Sequence, residues 1–157
     1  MGIIVPEQSH VRTATPADLD ALHHLEATHF GDDQFSRTQL RHLITRANAT
    51  SYVLEYNGRV AGAATMVWRK RSRIGRLYSI VIAREAQGLG FGAQLLRHCE
   101  EDALKRGCDR LNLEVRADNK SAIMLYTRRG YEIVGSLPGY YADGSNGLKM
   151  MKKLTAV

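Results

Sequence analysis

A mixed α/β fold is predicted for this chain, with a mostly antiparallel sheet of six to seven strands and four helices. Three observations carry that reading. An Asn57-Gly58 pair separates two strand-like runs; a nearly unbroken apolar run at 77–82 leads into a glycine cluster and a long amphipathic segment; and an alternating strand follows from Arg110. The first is an antiparallel hairpin, and the other two together are a strand, a crossover helix and a parallel strand.

Residues 11–15 read as a short strand running into Thr15-Pro16-Ala17-Asp18, where Thr15 suits a cap, Pro16 the first helical position and Asp18 a capping box. Leu19, Leu22 and Leu25 mark the buried side of the helix that follows. Ser36 with Gln39 repeats the start signal, and Leu40, Leu43 and Ile44 form the stripe of a second helix, with 31–34 as the loop between. Residues 51–56 and 60–68 are the hairpin strands, because Asn-Gly suits the positive φ angles of a type I′ turn.

Leu77-Tyr78-Ser79-Ile80-Val81-Ile82 reads as a central strand covered on both faces. From Gly88, residues Leu89, Ala93, Leu96, Cys99 and Ala103 recur at helical spacing until Lys105, Arg106 and Gly107 supply a basic last turn and a stop. Strand 110–115 alternates, with Leu111, Leu113 and Val115 on one side and Asn112 and Glu114 on the other. A fourth helix spans 120–129, and strands 131–136 and 148–154 close the chain around a Gly- and Tyr-containing loop, 137–147.

The 157 residues, 44% hydrophobic and 24% charged, read as one domain, with 1–10 an N-terminal extension. The formal charge of +6 favours an anionic partner without naming it. Cys99 and Cys108 lie outside any metal or disulfide spacing, and the six histidines form no ligand pattern, so no metal is expected. No secretory signal or membrane-length apolar run is present, which places the protein in the cytoplasm.

Chemistry concentrates in Arg84-Glu85-Ala86-Gln87-Gly88-Leu89-Gly90-Phe91-Gly92, between a strand and a long helix. Such a loop aims consecutive backbone N–H groups at an anion such as a pyrophosphate; a plain strand-to-helix turn is the other reading. A Walker loop is excluded, since no Gly-Lys-Ser/Thr follows, and too little chain remains after Val115 for a dinucleotide fold.

That loop, with Ile80-Val81-Ile82 before it, Leu113-Glu114-Val115-Arg116-Ala117-Asp118-Asn119, Ala122-Ile123-Met124-Leu125-Tyr126, Gly130-Tyr131 and Tyr140-Tyr141 after it, resembles the GNAT superfamily of N-acetyltransferases, and most of all its RimI branch, which acetylates protein N-terminal amines. The resemblance covers 77–154 in motifs and the first half only in element order. Glu85 departs from it, because the family usually has Gln or Arg there and a carboxylate near a pyrophosphate repels it unless it points away.

The resemblance implies a cleft between splayed parallel strands, acetyl-CoA as co-substrate held by Ile80, Val81, Ile82, Gln87, Gly88, Leu89, Gly90, Phe91, Gly92 and Asn119, and catalysis by Glu114 as base and Tyr126 as acid. A protonated amine must lose a proton before it attacks a thioester, and a departing thiolate accepts a hydrogen bond from a phenol, so both residue types suit the chemistry. Read without the family, Glu114 is a polar-face strand residue and Tyr126 a core aromatic.

Tyr140 and Tyr141 either wall a peptide groove or cover a strand end. The acceptor is expected to be a protein or peptide N-terminus, with a small-molecule amine or a non-catalytic acyl-CoA sensor as the competing readings, and the protein a monomer or homodimer. The basic run Arg69-Lys70-Arg71-Ser72-Arg73 with Arg76 reads as a solvated hairpin tip, or as a contact with RNA on a ribosome.

Overall fold

The structure, a computed structural model, describes residues 8–30, 35–45 and 48–155. Its elements are strands β1 Ser9–Thr13, β2 Ala49–Tyr56, β3 Arg59–Val67, β4 Ile74–Ile82, β5 Arg110–Arg116, β6 Glu132–Leu137 and β7 Gly147–Lys153, and helices α1 Leu19–Phe30, α2 Arg37–Thr45, α3 Phe91–Lys105 and α4 Lys120–Arg128. The strands form one sheet in the order β1-β2-β3-β4-β5-β7-β6. Every neighbouring pair is antiparallel except β4 and β5, which run parallel across the α3 crossover.

Asn57 (φ 52°) and Gly58 (φ 77°) both take left-handed backbone in the β2–β3 turn, as the Asn-Gly signal requires. Leu111, Leu113 and Val115 turn inward from β5, while Asn112 and Glu114 on the other face are half-buried. Helix α3 lays Phe91, Leu95, Leu96, Cys99 and Ala103 into that core. Full burial of each large apolar side chain among these contributes roughly 1.5–3 kcal/mol.

Several expected boundaries move for tertiary reasons. The first strand is Ser9–Thr13 and not 11–15, because its pairing with β2 runs from Ser9↔Tyr56 to Thr13↔Tyr52. It therefore takes in Ser9 and His10 of the expected extension; residues 1–7, like the expected loop at 31–34, lie outside the described residues. Strand β4 begins at Ile74, since 74–76 pair with the start of β5, so Arg76 belongs to a strand and not to the hairpin tip. Helix α3 starts at Phe91 and not Gly88, which leaves Leu89 outside it and exposed.

The first helical entry is fixed by charge. Asp18 is almost buried and accepts both Arg12 Nη1 and Nη2 at 2.8 Å, with the Thr15 N–H as a further donor at 2.8 Å. The Arg12 hydrogen bonds hold the Asp18 carboxyl below its ordinary range. A depressed folded value means that this stability is present above the unfolded pKa and is lost as pH falls through the folded one. Asp18→Asn is expected to cost about 2 kcal/mol at pH 7 in urea unfolding, and the gap to wild type should shrink as pH drops below about 4.

Candidate active site

The site begins where the one parallel pairing stops. Strands β4 and β5 share register from Ile74↔Arg110 to Leu77↔Leu113 and no further, although β4 continues to Ile82 and β5 to Arg116. On the other side of β4, Thr65 faces Ser79 and Met66 faces Leu77, so Tyr78 is an extra residue. Such a bulge sharpens the local twist. Strand β5 meanwhile stays paired with β7 out to Arg116↔Gly147. The ends of the two parallel strands therefore diverge, and β4 is not covered on both faces: Ile80 and Ile82 are half-buried and line the opening.

A cavity of about 620 Å³ occupies the divergence. One wall is Ile80, Val81 and Ile82 of β4; the floor is Gln87, Gly88, Gly90, Phe91 and Gly92; Asn119 and Tyr126 face them from the α4 side. Leu89 is not among the lining residues. Gly88 and Gly90 both have φ 84°, and Gly90 caps α3, so the chain turns into the helix with its first amides toward the cavity. The Gln87 side chain donates to the Ile82 carbonyl at 3.2 Å and ties the loop back to the strand. Glu85 is exposed and outside the cavity lining.

Sequence reasoning missed part of this wall. Arg128 and Arg129 line it, with Arg129 Nε buried and without a partner among the described residues, and so do His29 and Phe30 at the end of α1. Arg129 carried a readable signal, because Ala122, Tyr126 and Arg129 recur at helical spacing behind Asn119. The contribution of α1 is purely tertiary and left none.

Tyr126 is 5% exposed, with its ring edge-on to Tyr131 at 5.8 Å. Burial pushes its phenol upward, with Cys99 and Tyr141 adding to the shift, so it stays protonated. Cys99 is fully buried and its thiol is likewise pushed up, which leaves no reactive thiolate there. Asn119 accepts the Ala122 N–H at 3.2 Å and so caps α4 while lining the cavity.

Glu114, Tyr140 and Tyr141 gather at the mouth, outside the cavity lining. The Glu114 carboxylate is ion-paired with Arg76 Nη2 and accepts the Tyr140 hydroxyl at 3.3 Å. Tyr141 meets Tyr140 edge-on at 5.1 Å and lies under the Arg116 guanidinium at 4.4 Å, which in turn pairs with Asp143 at 2.9 Å. The Ala117 N–H to Asn146 carbonyl bond at 2.9 Å fastens the same loop to the end of β5. Arg76 is the missed residue here: strand alternation sets Arg76, Tyr78 and Glu114 off the core-facing series Leu77, Leu111, Leu113.

Backbone amides at a helix start, two guanidinium groups and an apolar strand edge are the donor set for a phosphate-bearing thioester with a flexible arm. Residues 18–131 match the family of GNAT acetyltransferases. The chain belongs to that family. It is 33% identical over 146 residues to an uncharacterized N-acetyltransferase of Methanocaldococcus jannaschii, spanning 91% of this chain and 90% of the relative.

Among solved structures, the ribosomal-protein-S18-alanine N-acetyltransferase of Escherichia coli superposes with a TM-score of 0.84 at 26% identity, covering 95% of this chain and 96% of that one. The ribosomal-protein-alanine N-acetyltransferase of Brucella melitensis gives 0.79 at 26% identity, covering 92% and 99%. As a GNAT enzyme the protein is an N-acetyltransferase, and the family uses acetyl-CoA. Among the described residues no cluster of His, Cys, Asp and Glu could hold a metal ion, and no helix is long and apolar enough to cross a membrane.

The loop geometry makes a direct prediction. Gly90→Ala forces a Cβ into left-handed backbone at a cost of roughly 1–2 kcal/mol, and should weaken acetyl-CoA binding about tenfold in calorimetry. Glu85→Gln, on an exposed side chain outside the cavity lining, should change it by less than about twofold.

Proposed function

We propose that this enzyme acetylates the α-amine of a protein or peptide N-terminus by direct attack of the amine on the thioester. The observation that supports it most is a protonated phenol in the cavity wall that lies near Tyr141, the ring next to the Tyr140 hydroxyl that Glu114 accepts. The structural relatives named for ribosomal-protein alanine acetylation support the choice of acceptor. Such an acceptor is met in the cytoplasm, where we place the reaction.

In this reading acetyl-CoA supplies an activated acyl group. The amides of Gly90 to Gly92 at the α3 start and the guanidinium groups of Arg128 and Arg129 hold its phosphates, and the free edge of β4 at 80–82 orients the arm and polarises the carbonyl. Glu114 accepts the proton of the incoming ammonium, directly or through one water, which frees the nitrogen lone pair for attack. Tyr126 donates a hydrogen bond to the sulfur as the carbon–sulfur bond breaks and passes it a proton, which the phenol regains from the second proton that the attacking nitrogen sheds on becoming an amide. A buried phenol is a weaker acid than a thiol, so no phenolate persists and the Tyr126 hydroxyl ends the cycle protonated. Tyr140 and Tyr141 flank the peptide backbone beyond the amine.

The test is acetyl-CoA turnover against short peptides with varied N-termini and a parallel panel of small amines. Peptide activity falling about 10²-fold or more in Glu114→Gln and in Tyr126→Phe, with acetyl-CoA binding kept, is the expected result. Activity confined to small amines would overturn the acceptor, and unchanged turnover in both variants would overturn the assigned roles.

A further inference from the structure

We propose that Arg76 determines acceptor selectivity, favouring an amine that carries a carboxylate one or two residues from the reacting nitrogen. The proposal rests on the acetyl-transfer reading, in which the acceptor ammonium approaches Glu114.

Arg76 and Glu114 come from the two diverging parallel strands and form an ion pair across the start of the opening. The pair is half open to solvent, with side-chain exposures of 43% and 23%. Exposed rings flank it: Tyr78 lies under the Arg76 guanidinium at 5.1 Å, and the Tyr140 hydroxyl bonds Glu114. Tyr78 is itself braced by Phe35, ring to ring at 5.3 Å. An acceptor that reaches Glu114 therefore arrives beside a fixed positive charge.

Its ammonium then competes with Arg76 for one carboxylate. An acceptor with no acid of its own leaves the guanidinium short of a counter-charge, and a basic one is repelled by it. An acceptor with a neighbouring carboxylate resolves the conflict, since its ammonium meets Glu114 while its carboxylate meets Arg76, and the four charges alternate. The guanidinium has donors to spare, since Glu114 takes only Nη2 of a side chain that is 43% exposed. Arg116, the other cation at the mouth, is already committed to Asp143 and to the Tyr141 face.

The experiment measures kcat/KM for otherwise identical peptides beginning Ala-Glu, Ala-Gln and Ala-Lys, with a pair of small amines that differ by a neighbouring carboxylate. Wild type, Arg76→Gln and Arg76→Lys are compared, each checked by thermal unfolding and acetyl-CoA binding. Wild type should prefer the order Glu, Gln, Lys with about tenfold or more between the extremes; Arg76→Gln should flatten the spread to about twofold, chiefly through KM on the acidic peptide, and Arg76→Lys should keep the order. Should Arg76→Gln not fold, the wild-type preference and its decline with added salt decide the matter.

Turnover without a charge order in wild type, or an order that survives in Arg76→Gln, overturns this inference and leaves the acetyl-transfer reading standing. Acetyl-CoA binding with no turnover on any acceptor overturns both.

Discussion

Parallel strands need a continuous ladder to stay together, and in this protein the ladder between β4 and β5 stops at Leu77↔Leu113. Everything that the site uses depends on that stop. Strand β4 is held on its far side by β3 and β5 by β7, so each follows its own antiparallel partner once the shared register ends. The bulge at Tyr78 adds twist at the point of parting. Because both strands remain anchored, the opening is built by well-ordered sheet and not by a loose loop, which keeps its walls at fixed separation.

The α3 crossover turns this opening into an anion-facing cavity. A helix that returns the chain between two parallel strands starts at the carboxyl end of the first, so its unsatisfied N–H groups face the gap. Glycines at 88 and 90 allow the left-handed backbone that brings those amides round without a side chain between them and the cavity. Gly92 has a further, steric role: a Cβ there would come within 3.2 Å of Leu125 Cδ2, where α3 and α4 approach each other across the cavity.

Local chemistry made the outline legible in the sequence. Asn57-Gly58 dictated the hairpin, the alternation of 110–115 put Glu114 on the face away from the core, and the glycine loop marked the helix start. What was not legible depends on which elements meet. The apolar run 77–82 reads as doubly covered because Ile80 and Ile82 look like core residues, whereas they border a cavity that exists only because β5 leaves. Arg76 reads as one more cation of a hairpin tip, since nothing local says that the strand begins at Ile74 or that Glu114 lies across from it. His29 and Phe30 reach the cavity through the packing of α1, which has no sequence-local signature.

The net charge of +6 also has a different meaning once it is distributed over the fold. Arg69, Lys70 and Arg71 remain exposed at or near the hairpin tip, at the end of the sheet away from the cavity. Arg128 and Arg129 line the cavity, while Arg76 and Arg116 are at its mouth, where each has a carboxylate partner and an aromatic face. The anion attraction expected from composition is therefore separated into regions with different chemistry. Cations along the cavity wall with no carboxylate partner among the described residues suit a polyanionic cofactor, whereas paired cations at the mouth respond to small rearrangements of charge, since a guanidinium that already has a partner gains only when the arriving group replaces or adds to that partner. In the proposed reading, discrimination between acceptors belongs to the paired arginine beside Glu114, and cofactor attraction to the arginines that line the cavity.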